Sequence, residues 1–333
     1  MASSVYVVLL NWNGWKDTIE CLESVLRMSY GNFRVVVCDN GSQDRSIQHI
    51  LDWAAGKLEV TAVNSSLASL SQPPIPKPCP VAHVRLSAGE FEIVTGNGSE
   101  PLVLIENGAN LGFAAGCNVG LRWSMQQQGF TFAWLLNNDT VVKPDALTEL
   151  VDYAEQHPQC GMIGSTILQY YEPGRVQAYG GCRYTPWMAR NPGQTSENAR
   201  NAKFDCILGC SMLVTKPFLE KVGLMSEVYF LYFEELDWAA RARGLFDMGY
   251  CPASYIYHKE GASIGSSHQR EKRSLLSERY LSRNRVVFTK RFYPWLLPSV
   301  LFWVMAAALF RLMKGDIVRA HTIFKAALEG LRN

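Results

Sequence analysis

The sequence predicts an α/β fold built on a largely parallel sheet, and three observations carry that prediction. Strand and helix signals alternate through the first half of the chain, as in successive βαβ units. The strand signals are short, continuous apolar runs, the pattern of strands covered on both faces. Three of these runs end in clusters of Asn, Asp, Gly or Ser, at the strand ends where open parallel sheets bind their ligands.

Val5 to Leu10 forms the first strand, closed by Asn11-Trp12-Asn13-Gly14. Residues 16 to 28 then place Ile19, Leu22, Val25 and Leu26 at helical spacing. Phe33 to Cys38 is the second strand, closed by the turn-rich Asp39-Asn40-Gly41-Ser42, and a helix follows from Ser46 to Ala55. Asn110 to Asn118 is rich in Gly, Ala and Asn and precedes a helical stretch reaching Met125. Phe132 to Leu136 reads as a central strand ending in Asn137-Asn138-Asp139, and Pro144 to Gln156 as a helix with proline in its first turn. Between Asn64 and Pro101 the pattern loosens. Five prolines crowd Pro73 to Pro80, and Val81 to Val94 alternates weakly, as an exposed hairpin does. We read residues 65–101 as a surface insertion in a sheet domain covering residues 1–268. After Gly161 the pattern becomes irregular, turning helical at Glu234 to Arg243 and again from about Arg270 to the end.

The chain of 333 residues has 48% hydrophobic and 19% charged residues, a globular balance that excludes disorder and collagen-like repeats. Its net charge of +2 is too small to argue for nucleic acid as a partner. That charge is unevenly placed. Lys259 to Asn333 holds 14 Lys/Arg against 5 Asp/Glu, a net of +9, which leaves −7 for the residues before it. We therefore separate residues 269–333 as a basic helical C-terminal region. Within it, Trp295 to Phe310 carries no charge and is flanked by Lys290, Arg291 and Arg311. Two readings stand side by side: a segment lying against an anionic leaflet, or a buried core helix or subunit interface of a homo-oligomer. Nine cysteines without CxxC spacing point to reduced thiols. With no basic leader before the six-residue apolar run, the cytoplasm is the expected compartment, peripheral at the inner face of the membrane.

Chemistry is expected at the polar strand ends. Asp39, directly after a buried strand, can accept hydrogen bonds from a base or ribose, although an Asp in such a turn also serves structure. Asn110 to Asn118 lets backbone N–H groups approach a phosphate at a helix N-terminus. It is not GxGxxG, and no GxxxxGK[ST] occurs, so dinucleotide and ATP readings lose their main support. Asp139 offers a carboxylate suited to Mg²⁺ or Mn²⁺, hard ions that bridge to a diphosphate. His258 follows a short apolar stretch. Glu234, Glu235 and Asp237 place three carboxylates in four residues beside Tyr229 to Phe233. Such a cluster either complements a helix dipole or supplies a general base of raised pKa.

Taken in order, Val7 to Asn13, Val36 to Asp44, Asn110 to Gly120, Leu135 to Leu147, Gly209 to Gly223, Tyr232 to Arg243 and Tyr257 to Gly265 resemble family 2 glycosyltransferases, in particular their rhamnosyltransferase-like branch. The resemblance implies a GT-A fold: a nucleotide-binding mixed sheet flanked by helices, with a helical C-terminal extension. It implies transfer of a sugar from a nucleoside-diphosphate donor to a hydroxyl of a glycan or lipid-linked acceptor, with inversion and a divalent metal, in bacterial surface polysaccharide synthesis. It further implies donor binding by Asn11, Asp39, Asn110, Gly112 and Asn138, metal binding by Asp139 and His258, and Glu235 as the base. Three positions depart from the family pattern: Asn137 replaces the first acid of DxD, Glu235 replaces an Asp, and Gly223-Leu224-Met225-Ser226 replaces a GFD-like turn. No QxxRW follows the base, which favours addition of a single sugar. Two other readings remain at this stage. A sugar-nucleotide nucleotidyltransferase needs a basic Gly-rich loop at the first strand, which is lacking. A catalytically silent sugar-nucleotide-binding protein is suggested by Asn137 and Glu235.

Overall fold

The computed structural model describes residues 2–196, 203–259 and 274–332. The proposed boundary at residues 268/269 lies outside them. The chain opens with strand β1 (Ser4–Asn11), helix α1 (Trp15–Val25), β2 (Phe33–Asp39), α2 (Ser46–Ala54), the strands β3 (Val81–Ser87) and β4 (Glu90–Thr95), and β5 (Leu102–Glu106). Next come α3 (Phe113–Met125), β6 (Phe130–Asn137), β7 (Thr140–Val142), α4 (Ala146–Gln156), β8 (Cys160–Gln169), β9 (Val176–Tyr179) and β10 (Gly181–Cys182). The remainder is β11 (Cys206–Ile207), β12 (Ser211–Thr215), α5 (Lys216–Val222), α6 (Glu234–Ala242), β13 (Asp247–His258), α7 (Leu275–Phe292), α8 (Leu297–Met313) and α9 (Ile317–Arg332).

An 11-stranded mixed sheet runs β4-β3-β5-β2-β1-β6-β12-β8-β13-β7, with β9 added on β8. Its nucleus is parallel: β1 pairs with β2 on one side and β6 on the other, and β2 pairs with β5. The polar ends Asn11, Asp39 and Asn137 therefore lie at one edge of the sheet, with Asn11 opposite Asp39 in the ladder. Successive residues of a strand point to opposite faces. Val5, Val7, Leu9, Val35 and Val37 accordingly pack under α1, α2 and α4, while Tyr6, Val8, Val36 and Cys38 pack under α3, α5 and α6. Cover on both faces is the physical reason these strands are continuously apolar. The hairpin expected over Val81 to Val94 is β3–β4, antiparallel and set on the sheet edge through parallel pairing of β3 with β5.

Two expectations are corrected. The irregular pattern after Gly161 conceals β8, a ten-residue strand buried along almost its whole length. Gly161, Gly164, Ser165 and Thr166 dilute its apolar signal, the glycines for steric reasons and the hydroxyls because they hydrogen-bond to Ser211, Ser254 and Tyr250. A Cβ at Gly161 would meet Phe218 and Phe246, and one at Gly164 would meet the Gly180 backbone. The thiols are not all reduced either: Cys182 and Cys206 face each other across the β10–β11 pair and form a buried disulfide, their Cα atoms 5.4 Å apart. The other seven cysteines are free.

Candidate functional site

The end of β1 is tied to its neighbours by one polar network. Asn11 donates through Nδ2 to Asp39 Oδ2 at 2.7 Å and to Ser42 Oγ at 3.1 Å, and its Oδ1 accepts from Thr18 Oγ1 at 2.8 Å. The second Asp39 oxygen accepts the Ser42 N–H at 2.9 Å. Asn138 joins the same network, donating to Thr18 Oγ1 at 2.9 Å and more weakly to Asn11 Oδ1 at 3.4 Å. Asn11, Asp39 and Asn138 are all buried. Each carboxylate oxygen of Asp39 keeps a second lone pair for a donor from outside.

At the end of β6, Asp139 Oδ1 stands 3.2 Å from His258 Nε2, which β13 brings alongside. Gln177 Oε1 lies 3.1 Å from His258 Nδ1. An amide oxygen only accepts, so Nδ1 donates to Gln177; Nε2, 3.3 Å from the Asn137 amide, donates to Asp139 in the protonated ring and would offer its lone pair to a cation in the neutral one. Burial alone would raise the Asp139 pKa. His258 and Lys259 outweigh it, and the carboxyl is held below its ordinary range. Lys259 is itself gripped by Asp17 and Glu20, at 2.5 and 2.6 Å.

The third part is the start of α6. Tyr232 and Phe233 both adopt left-handed backbone, with φ of +69° and +76°. For residues with a Cβ this costs roughly 1–2 kcal/mol each. The turn is held from α7: the buried Asn284 donates to the carbonyls of Leu231 and Tyr232 at 2.8 and 2.9 Å. Strain of this kind is retained where the geometry it produces is used. Here it swings Glu234 and Glu235 to a cavity of about 170 Å³ whose walls also include Asn137, Asn138, Asp139, His258 and Trp12. Asp237 faces away and is fully buried, held by Arg241 at 2.8 Å and Arg291 at 2.9 Å. Arg243 donates to the Tyr293 hydroxyl. Glu234 is buried, and its Oε2 has no hydrogen-bond partner among the described residues.

Burial raises the pKa of both glutamates, that of Glu234 further because the Glu235 charge adds to it. Backbone hydrogen bonds partly offset this at both, from Glu234 and Tyr232 for Glu234 and from Glu235 and Gly209 for Glu235. Ionisation is thus disfavoured at both carboxyls, and more strongly at Glu234, which leaves Glu235 the better proton acceptor. Gly209 makes room for it, since a Cβ there would run into Glu235 Oε1. Gly209→Ala is expected to displace the Glu235 carboxylate and lower kcat by about 10²-fold, the usual cost of misplacing a reacting group by about 1 Å. Donor affinity, measured by calorimetry, should stay unchanged.

Of the expected donor-binding residues only Asn138 lines this cavity; Asn11, Asp39, Asn110 and Gly112 do not. Asn110 Oδ1 accepts from Gly112 N at 3.0 Å and from Asn40 Nδ2 at 2.9 Å, and Phe113 N donates to Phe230 O at 2.7 Å. The backbone N–H groups expected to face a phosphate are thus taken by protein acceptors. Gly112, at φ +82°, is packed so closely on Phe230 that no side chain fits. Its loop connects the end of β2, through Asn40, to the turn that carries the glutamates.

Among the described residues no group of three or more His, Cys, Asp or Glu is placed to hold a metal ion. The Asp139–His258 pair nevertheless suits a hard cation that takes the rest of its shell from water and substrate phosphates. The imidazole is oriented for it by Gln177 and the carboxylate is ionised. Trp12, Thr18, Gln177, Gly209 and Asn284 carry no individual signal of a site in the sequence.

A family model described as glycosyltransferase-like family 2 matches residues 92–276, and a second, glycosyl transferase family 2, matches residues 5–66. The low-salt glycan biosynthesis hexosyltransferase Agl10 of Haloferax volcanii is 24% identical over 159 residues, covering 47% of this chain and 51% of its own. The uncharacterized protein y4gI of Sinorhizobium fredii is 24% identical over 267 residues, 76% of this chain but 24% of its own. The chain thus spans about half the length of one of these relatives and about a quarter of the other. The solved mannosyltransferase PcManGT from Pyrobaculum calidifontis, in complex with GDP-Man and Mn²⁺, superposes with a TM-score of 0.53 at 14% identity, over 99% of this chain and 88% of that one. At that identity the likeness is one of fold.

Proposed function

The chain belongs to glycosyltransferase family 2, and from that premise we propose that it transfers one sugar from a nucleoside-diphosphate donor to a hydroxyl of a glycan or lipid-linked acceptor, with inversion. The observation that supports this reading best is the shared cavity: Asp139 and His258 on one wall, Glu235 on another. Asp139 and His258 would hold a divalent ion, which neutralises charge on the departing diphosphate when bound. Glu235 accepts the proton of the attacking hydroxyl as the new bond to the anomeric carbon forms and the bond to the diphosphate breaks. A single displacement of this kind inverts the centre. Asp39 and Asn11 bind the nucleoside, and Asn138 braces Asn11 from the cavity side. Asn110 and Gly112 act through Asn40 and Phe230, fixing the loop between donor and base.

We place the reaction in surface-glycan synthesis on the cytoplasmic side of the membrane. Seven free cysteines favour a reducing compartment, and the one disulfide is sealed in the core. The test is a panel of UDP-, GDP- and dTDP-sugars scanned by thermal shift, followed by donor hydrolysis with Mn²⁺. One donor class should raise Tm and be hydrolysed. Binding without any turnover, with or without acceptor, would instead identify a silent binding protein.

A further inference from the structure

The C-terminal helices carry a feature the transfer reaction does not use. Pro294–Met313 is 20 residues long and apolar enough, by length and composition, to cross a bilayer. Yet α8 keeps one stripe, Val300, Val304, Ala308 and Arg311, packed in the protein. The spacing of three and four residues marks one helical face. Leu297, Leu301 and Met305 pack partly beside that stripe, whereas Phe302, Leu309 and Phe310 stand exposed. The junction of α8 with α9 exposes Leu309, Phe310, Leu312, Met313, Ile317 and Val318, with Met313 at 71% and Ile317 at 66% exposure. Single exposed apolar residues need no explanation, but six at one helical tip do.

The surroundings of that tip are cationic. Residues 274–332 hold ten Lys/Arg against three Asp/Glu. Behind the tip, between α7, α8 and the turn at Trp187–Arg190, lies a cleft of about 410 Å³. Among the described residues Arg190, Arg285, Arg311 and Lys314 line it with one carboxylate, Glu278, and with Trp303 and Phe310 at its sides. Glu278 pairs with Arg311 at 3.2 Å and Arg319 at 2.9 Å, which fastens the tip to α7. Lysine is depleted in the cores of protein interfaces, whereas Lys and Arg beside Phe and Leu are the make-up of elements lying in a lipid headgroup layer.

We propose that the α8–α9 tip docks on an anionic lipid surface, with Met313 and Ile317 entering the leaflet and the cleft behind them receiving a phosphate headgroup. The helix lies on the membrane and does not cross it, because its packed stripe stays with the protein. Docking is separate from the sugar-transfer reading, and its test reads no turnover.

The experiment is flotation of the full chain with vesicles of phosphatidylcholine alone, or with equal parts of phosphatidylglycerol. At low salt the chain should float with the mixed vesicles and remain below with the neutral ones. Binding should weaken as salt rises from 0.1 to 1 M and the Debye length shrinks from about 10 to 3 Å. Met313→Asp and Ile317→Asp, both at exposed positions, should each weaken binding at least about tenfold with Tm unchanged. Lys314→Glu should weaken it about fivefold per unit of charge, and Arg190→Glu should erase the preference for phosphatidylglycerol. A wild-type chain that ignores mixed vesicles at low salt overturns the proposal. So does a dimer in sedimentation that Met313→Asp dissociates, since the tip then serves a second copy. Retention in cell membranes against both high salt and alkaline carbonate would mean that α8 spans the bilayer. Unchanged lipid preference in Arg190→Glu removes the headgroup from the cleft.

Discussion

Glu235→Gln is expected to lower kcat by about 10²- to 10⁴-fold, the range for loss of a positioned general base, while donor affinity by calorimetry barely moves. The substitution keeps shape and one hydrogen-bonding oxygen, so what it removes is the ability to take a proton. Glu234 and Glu235, adjacent on α6, point about 100° apart, yet both reach the cavity, so position alone does not choose between them. Protonation does. Burial and the neighbouring Glu235 charge disfavour ionisation of Glu234 more strongly than burial disfavours that of Glu235, which makes Glu235 the better proton acceptor. Glu234→Gln should therefore retain most of the activity. Because burial raises the Glu235 pKa, activity should fall as pH drops through a value above the ordinary glutamate range of about 4.3. The sign for stability runs the other way. Two carboxyls with raised folded-state pKa values bind protons more tightly folded than unfolded, so their contribution is full below the unfolded value and is lost as pH rises through the folded one. Glu234→Gln removes part of that loss, and its Tm advantage over the native chain should grow as pH rises. If Glu235→Gln turns over normally while Glu234→Gln is dead, the two roles are exchanged.

Much of the strand-end network is legible along the chain because it is built from local signals. β1, β2 and β6 are continuous apolar runs, and the polar residues that end them fall together once the strands pair in parallel. Asn11, Asp39, Asn138 and Asp139 could be read this way. Residues whose partners come from distant segments could not. Gln177 acts on a histidine 81 positions away and Asn284 on carbonyls more than 50 away, and neither stands out locally. Asn284 sits in a basic helix whose solvated side dominates its pattern. β8 is hidden because glycines that admit Phe218 and the Gly180 backbone, and hydroxyls bonded to Ser211, Ser254 and Tyr250, interrupt the apolar run. Asn110 and Gly112 illustrate the opposite error of emphasis. A glycine- and asparagine-rich segment before a helix resembles a phosphate cradle, and only the three-dimensional partners, Asn40 and Phe230, reveal a loop clamp.

Asp139→Asn is expected to reduce turnover by at least about 10²-fold, the usual loss when charge stabilisation of a leaving group is removed. Asparagine keeps the size and the capacity to accept a hydrogen bond, so the polar environment of His258 and Lys259 remains filled and the fold is preserved. The charge is what disappears. In the native chain that charge is secured by His258 and Lys259, which hold the carboxyl below its ordinary range despite burial. A depressed folded-state pKa adds stability above the unfolded value and loses it as pH falls through the folded one. The stability deficit of Asp139→Asn should therefore be constant near neutral pH and shrink in acid. Metal binding separates this from a purely structural role. Mn²⁺ titrated into the native chain with a nucleoside diphosphate should give a calorimetric signal that Asp139→Asn loses. His258→Ala should weaken that signal less, because it removes a neutral ligand and leaves the anion. Gln177→Leu should weaken it less still, since Gln177 only orients the imidazole. That order, Asp139 above His258 above Gln177, follows from charge first and orientation second. Equal Mn²⁺ affinity across all three variants would remove the metal from this pair and leave Asp139 and His258 as an ion pair that supports the end of β6.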